Sequence, residues 1–394
     1  MTKISERISY VGVNDFTKSL FEGLWPLPVG VSYNSYIVCG QKTALIDTAE
    51  ISYKEEYIAN VKAALNGKSL DYLVINHMEP DHSSLISAVR EIYPEMTIVC
   101  NQKAVPMVQG YHGDLENMLV IKEGEELDLG GATLVFYMAP MVHWPETMVT
   151  YLKEEKTIFS GDAFGCFGAI GVAGDDHKPS GIIKDGFAEY RDEMIRYYSN
   201  IVGKYGVPVQ NALKKLSSLE IARICSTHGP IWESEVADVI ALYDSMSKYE
   251  PLEQGVCICY ATMYGNTEKA ALELAAQLDK RGVKYVLHNL CTESASYAYR
   301  DVFKFSTIAL GSPTYNADIF PPAYNFLYGV TARQVRKRRF FAFGSFTWAG
   351  ASVRLMNEMA CKAGMDVVVN NGSFNQAYTT DKLDMNPIAD ILAE

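Results

Sequence analysis

The run His77-Met78-Glu79-Pro80-Asp81-His82 places four potential metal ligands within six residues, directly after an apolar stretch, 72–75, that reads as a strand. Three more candidates occupy similar positions. His143 lies beyond the strand-like 133–137, Asp162 follows 157–161, and His228 follows 224–227. Loops at strand ends are where an α/β scaffold exposes reactive side chains. The set comprises four imidazoles and three carboxylates. That is too many for one tetrahedral zinc, but it suits two metals sharing a carboxylate. Three anionic oxygens and four neutral nitrogens leave two divalent ions nearly neutralised, with positions open to a substrate. Mixed nitrogen and oxygen donors without thiolate suit iron or manganese and do not demand zinc.

A second constellation lies in the last third of the chain. A strand over 256–260 runs into Ala261-Thr262-Met263-Tyr264-Gly265-Asn266-Thr267, and a helix over 268–278 follows. A hydroxyl-rich loop entering a helix N-terminus attracts phosphate through free backbone N–H groups and the helix dipole. No Lys follows Gly265, so this is not a Walker loop, and Gly-x-Gly-x-x-Gly is absent. Two further loops, Gly311-Ser312-Pro313-Thr314-Tyr315-Asn316 and Gly344-Ser345-Phe346-Thr347-Trp348-Ala349-Gly350, follow the third and fourth strands of the same region. Tyr315, Phe346 and Trp348 offer flat apolar faces to a planar ring, and the small residues let backbone approach its polar edge.

The first constellation resembles the metallo-β-lactamase superfamily and, within it, the flavodiiron proteins. Zinc hydrolases of that superfamily usually carry His-x-His-x-Asp-His. Here Glu79 stands at the second His, matching the His-x-Glu-x-Asp-His form of the flavodiiron family. A carboxylate is a harder, anionic donor that favours ferric states. The resemblance implies that His77, Glu79 and His143 hold one iron, that Asp81, His82 and His228 hold the other, and that Asp162 bridges. It leaves open whether His82 is bound. The second constellation is similar to flavodoxin, which binds FMN. The resemblance thus covers nearly the whole chain. It implies reduction of dioxygen to water, of nitric oxide to nitrous oxide, or both, with electrons passing from an external donor through FMN to the iron pair. It also implies a head-to-tail homodimer or homotetramer. Two other readings stand beside it: a zinc hydrolase with an accessory flavin domain, and an FMN electron carrier with an inactive metal site.

These residues need scaffolds. Before about residue 250, short apolar runs at 43–46, 72–75, 97–99, 133–137 and 157–159 read as strands, with helices at 53–65 and 84–92. The expected fold is an αββα metallo-β-lactamase-like sandwich over 1–250. Glu250-Pro251 through Gly255 reads as a linker. Over 256–394, strands at 256–260, 285–289, 307–310, 340–343 and 366–369 alternate with helices. That pattern predicts a flavodoxin-like, doubly wound parallel sheet of five strands.

The bulk composition fits. The chain has 394 residues, 48% of them hydrophobic and 21% charged, with a net charge of −12, which disfavours a nucleic-acid partner. The N-terminus is polar and no stretch suits a membrane span, so a cytoplasmic location is expected. Eight scattered cysteines fit reduced thiols, with Cys257 and Cys259 read as core packing. No Cys-x-x-Cys pair is present, so the electron donor is expected to be separate: rubredoxin or a reduced deazaflavin. His112, His177 and His288 match neither constellation and read as surface or structural. The basic run 333–339 reads as a solvated helix end. Trp25, Tyr33, Cys166 and Phe167 are candidates to surround the metals and tune substrate preference.

Overall fold

Several strands of the first half are buried at every position, including Thr43–Ile46 and Met148–Leu152. Strands that present no polar face must be covered on both sides, and the topology supplies the cover. The computed structural model describes residues 2–170, 182–183 and 187–394; His177 lies outside them. Within them the chain divides into two compact units, one of residues 1–198 and 207–244, the other of 199–206 and 245–394.

The first unit contains two mixed seven-stranded sheets. One runs in the order Thr2–Lys3, Ile8–Tyr10, Tyr36–Cys39, Thr43–Ile46, Tyr72–Val74, Thr97–Asn101, Met118–Ile121. The other runs Glu126–Asp128, Thr133–Met138, Met148–Leu152, Thr157–Phe159, Arg223–Cys225, Ile231–Trp232, Ile182–Ile183. Their facing side chains form one core, in which Val38, Ile46, Val74 and Val99 meet Leu134, Phe136, Leu152 and Phe159. Helix Lys54–Leu65 buries Tyr57, Ile58, Val61 and Leu65 outside that core. This is the expected sandwich with helical cover.

The second unit is a parallel sheet ordered Tyr285–Asn289, Glu253–Tyr260, Phe305–Gly311, Arg339–Phe346, Asp366–Val369. The chain steps outward from its first strand and then crosses back to its third. Such a reversal opens a crevice at the strand C-termini. Two details differ from the sequence reading. A sixth strand, Ser373–Asn375, pairs with Gly344–Phe346, so the fourth strand runs on to Phe346. The first strand begins at Glu253, inside the expected linker.

The basic run 333–339 also differs. Arg338 is buried, and its guanidinium donates to the carbonyls of Tyr249 (2.7 Å), Val302 (2.9 Å) and Phe303 (2.9 Å). The planar, five-donor guanidinium satisfies these carbonyls together. Burial pulls its pKa down to about 9.

His288 is structural. Its Nε2 lies 2.8 Å from Asp301 and its Nδ1 lies 3.0 Å from Glu293. Burial pushes its pKa down, but Asp301, Cys257 and Glu293 outweigh burial and raise it from 6.5 to about 9. A raised pKa contributes stability that is fully present below the unfolded value and is lost as pH rises through the folded one. Wild type should therefore exceed His288→Asn in urea midpoint at neutral pH, with the gap closing as pH rises through about 9. A gap that stays constant across that range would contradict the charged assignment.

Candidate metal centre and phosphate cradle

Asp47 begins the organisation of the metal centre. Its Oδ1 accepts from the backbone N–H of Asn76 (2.7 Å) and of His77 (3.3 Å), which fixes the turn after strand Tyr72–Val74. Asn76 then ties the two sheets together. Its side-chain oxygen accepts from Thr150 Oγ1 (2.6 Å), and its backbone carbonyl accepts from Met148 N (3.0 Å). The His228 loop is held in a similar way. Asn34 Nδ2 donates to the carbonyls of Ser226 (3.0 Å) and Gly229 (2.8 Å). Gly229 has φ +75°, and a Cβ there would stand 2.6 Å from that of Cys166, so glycine is required.

On this frame the seven predicted side chains converge into two groups. His77, Glu79, His143 and Asp162 form one, and Asp81, His82 and His228 the other; within each group the ligand atoms lie within 4.8 Å of one another. Asp162 Oδ2 faces the first group, 3.1 Å from His143 Nε2 and 3.5 Å from His77 Nε2. Its Oδ1 faces the second, 3.0 Å from His82 Nε2 and 3.7 Å from His228 Nε2. Glu79 Oε2 is 3.0 Å from His143 Nε2, and Asp81 Oδ2 is 3.3 Å from His228 Nε2.

Several buried polar atoms here have no hydrogen-bond partner: His82 Nε2, His228 Nε2 and Asp81 Oδ1. Orphaned donor atoms are costly unless something binds them. Lone pairs turned inward on a shared centre fit a cation in each group. Burial lowers the pKa of His77, His82 and His143, but the carboxylates more than compensate, Asp162 foremost for His77 and His143 and Asp81 for His82. They hold His77 well above its usual range and raise His82 and His143 to about 9. Asp162 resists its own burial and sits well below the carboxylate range because His82 and His77 surround it.

Residues that carried no motif complete the site. Glu146 Oε1 lies 2.9 Å from His77 Nδ1 and accepts from Met78 N at 2.9 Å. The Ser32 carbonyl accepts from His228 Nδ1 at 2.7 Å, and Thr227 Oγ1 donates to Asp162 Oδ1 at 2.6 Å. Such outer partners set the tautomer and aim the ligating nitrogen. Phe21, Tyr33 and Tyr197 pack edge-on or tilted against the His228 ring, with centroids at 5.1, 5.8 and 5.5 Å. Of the four expected surrounding residues, Tyr33 therefore touches a metal candidate, and Phe167 packs on Phe21 and Tyr197. Cys166 is buried with its thiol on the Phe167 carbonyl, and Trp25 donates to Glu22 at 3.0 Å. Phe21 and Tyr197 were missed because nothing in their local spacing marks them.

In the second unit, helix Asn266–Asp279 starts after Gly265, whose φ of +81° turns the loop. Thr262 Oγ1 accepts from Gly265 N at 3.0 Å, so it shapes the loop and keeps its own proton for a ligand. Thr267 Oγ1 is buried and without a partner. A buried hydroxyl left unpaired at a helix N-terminus fits a phosphate oxygen. Asn266 Oδ1 accepts from Tyr378 N at 3.4 Å. Ser312 Oγ accepts from Phe320 N (3.0 Å) and donates to the Pro313 carbonyl (3.0 Å). Thr314 Oγ1 accepts from Ala351 N (3.1 Å) and Ser352 N (3.3 Å), tying the second loop to the third. Thr314–Tyr315 pairs with Asp318–Ile319 across Asn316 and Ala317, both at positive φ. Tyr264 and Trp348 are 89% and 90% exposed, and Met263 and Tyr315 are partly so. Large aromatic faces left bare beside a phosphate cradle call for a planar ligand. Phe346 and Ser345 are corrected to strand positions, with Phe346 against Gly350, while Thr347, Trp348 and Ala349 remain in the loop.

Comparison with known proteins agrees with both halves. Residues 31–229 match the ODP family beta lactamase model, and residues 258–386 match flavodoxin. A nitric oxide reductase of Moorella thermoacetica is 31% identical over 94% of this chain and 92% of its own length. Rubredoxin oxygen:oxidoreductase of Desulfovibrio gigas superposes with a TM-score of 0.92 at 28% identity, covering 100% of this chain and 97% of that one. The flavodiiron protein of Giardia intestinalis gives a TM-score of 0.91 at 27% identity over 99% and 95% of the two chains. With two facing ligand groups in a β-lactamase-like unit and a phosphate cradle in a flavodoxin unit, the chain belongs to the flavodiiron protein family.

Proposed function

We propose that this protein reduces dioxygen to water and nitric oxide to nitrous oxide in the cytoplasm, with dioxygen at least as fast when donor is plentiful. Residues 1–250 act as the metal domain, 251–255 as the linker and 256–394 as the FMN domain. The observation that carries the reading is Asp162, whose two carboxylate oxygens face separate ligand groups. A zinc hydrolase would place His at position 79 and has no use for a flavodoxin unit. An idle electron carrier would not keep seven ligands converged.

His77, Glu79 and His143 would hold one iron, Asp81, His82 and His228 the other, and Asp162 would span them. When bound and fully reduced, FMN and the iron pair supply two electrons each, matching the four that take dioxygen to water. The chain's own residues do the rest. Glu146 and the Ser32 carbonyl hold Nδ1 of His77 and His228, so that each Nε2 points inward. Phe21, Phe167 and Tyr197 keep the His228 side dry. Burial raises Tyr197 well above its usual range, so its hydroxyl beside the His228 ring stays neutral.

Electrons come from a separate donor, a rubredoxin or a reduced deazaflavin. Pairing two chains head to tail would bring FMN of one chain to the irons of the other, as a dimer or a dimer of dimers. Two bare apolar sets support this: Leu24, Val29 and Ile51 in the first unit, and Tyr264 and Trp348 in the second.

Protein loaded with iron and FMN should consume both gases with a competent donor, measured by electrode. It should contain two irons per chain, and Glu79→His should shift selectivity towards zinc. One tight zinc and no iron after expression with adequate iron would defeat the diiron reading.

Released flavin should be FMN. Removing the Thr262 and Thr267 hydroxyls together should weaken its retention, since each charge-assisted hydrogen bond contributes roughly 1.5–3 kcal/mol. FAD in the extract, or unchanged FMN affinity by fluorescence titration, would refute the cradle.

For assembly, mixing Glu79→Ala chains with Thr262/Thr267 double-mutant chains should recover part of the activity in mixed dimers. A fully active monomer by sedimentation would exclude the head-to-tail arrangement.

A further inference from the structure

A cavity of about 230 Å³ reaches the metal centre from solvent, bounded by Lys18, Tyr33, Glu22, Glu50, Glu79 and Asp81 among others. Four of these six are acidic. Lys18 is the one cation among the described lining residues. Its Nζ donates to the Tyr33 hydroxyl at 2.9 Å, and it lies 5.5 Å from the centre of that ring. Among the described residues no carboxylate pairs with it within 4.0 Å. An ammonium has three donors, and this one spends a single donor on a neutral oxygen.

The lysine is also pinned. Asp15 Oδ1 accepts from Thr17 N (2.8 Å), Thr17 Oγ1 (2.9 Å) and Lys18 N (2.8 Å), which fixes the turn that carries it. Tyr33, its anchor, is fully buried against the His228 ring. The other polar side chains at the cavity mouth are engaged. Glu22 accepts from Trp25 Nε1 (3.0 Å), and Glu50 accepts from Ser52 N (2.9 Å). Among the described lining residues, the uncommitted side-chain N–H donors therefore belong to Lys18.

We propose that Lys18 is the cationic donor of the substrate cavity, holding the substrate oxygen as negative charge builds on it and passing it protons. This rests on the reductase reading above. Dioxygen takes four electrons and four protons to two waters. Two nitric oxide molecules take two electrons and two protons to nitrous oxide and water. The electrons come from the donor protein or deazaflavin. Each proton breaks an N–H bond of Lys18 and forms an O–H bond on substrate, and solvent returns a proton to Nζ through the open side of the cavity. Tyr33 is a positioning residue that holds the ammonium. The carboxyl groups of Glu22, Glu50, Glu79 and Asp81 line the same cavity.

The test uses holoprotein and two readouts, one independent of turnover. Azide binding to the resting, iron-loaded protein is followed by absorbance. The kcat and KM for each gas, and the solvent deuterium isotope effect on kcat, are measured beside it. Lys18→Met should weaken azide at least about tenfold and lower kcat on the order of 10²-fold, the usual cost of losing one such donor, while KM, iron and FMN content stay unchanged. Lys18→Arg should restore most of the azide affinity. Equal azide affinity and equal kcat in Lys18→Met and wild type would overturn the proposal. If Lys18→Met does not fold, Tyr33→Phe reads the same point: a smaller loss of kcat with a changed isotope effect supports it, and an unchanged kcat and isotope effect overturns it. Wild type that binds iron yet reduces neither gas would sink the reductase reading instead, and the azide titration would still decide whether Lys18 serves the cavity.

Discussion

The carboxylate of Asp162 is the constraint around which the first unit is organised. It is fully buried, and an isolated buried charge is prohibitive. It is tolerated because His77, His82, His143 and His228 close on it from two sides and Thr227 donates to it from a third. The dependence is mutual. Without Asp162 the imidazoles would have no shared acceptor, and the raised pKa values of His77 and His143 would lose a principal cause. Protons and metal ions compete for the same inward lone pairs, so the polarity that holds the cluster together is also what prepares it for cations.

Such a cluster demands a stiff frame, because its oxygen and nitrogen atoms stand only about 3 Å apart in several pairs. The frame is polar as well as apolar. Asn76 and Asp47 lock the His77 turn to the strand beginning at Met148, and Asn34 with Tyr36 locks the Ser226–Gly229 loop. Each is a buried side chain with its hydrogen-bonding groups satisfied. A partly satisfied network would be costly at this depth, whereas a complete one specifies a single geometry. The second unit uses a gentler device. Its cradle is made of backbone N–H groups and hydroxyls, and only Thr267 Oγ1 is left buried and unpaired. A phosphate needs fixed donors more than fixed charges, which a helix N-terminus provides.

Much of this was legible in the chain itself. His77, Glu79, Asp81 and His82 are adjacent, and His143, Asp162 and His228 each follow an apolar run, so ligand type and strand-end position both show in one dimension. Alternating strands and helices after residue 255 likewise announce a parallel sheet, because the period of apolar residues reflects which face each element buries. What surrounds the ligands did not show. Glu146 lies 69 residues from the His77 it orients, and the Ser32 carbonyl lies 196 residues from His228. The length of the fourth strand of the second unit depended on pairing with Ser373–Asn375, which no local pattern encodes.

The sequence by itself determined the ligand types, the presence of Glu79 where a hydrolase has His, the phosphate loop and the two-part architecture. Each of these is a property of neighbouring residues or of a repeating apolar period. Only the tertiary structure decided that Asp162 shares its oxygens between two groups, that Arg338 lies buried among carbonyls, and that Lys18 stands on Tyr33 in the cavity wall. Each of those requires parts of the chain far apart in sequence to meet within a few ångströms, and the packing of sheets and loops alone sets which parts do.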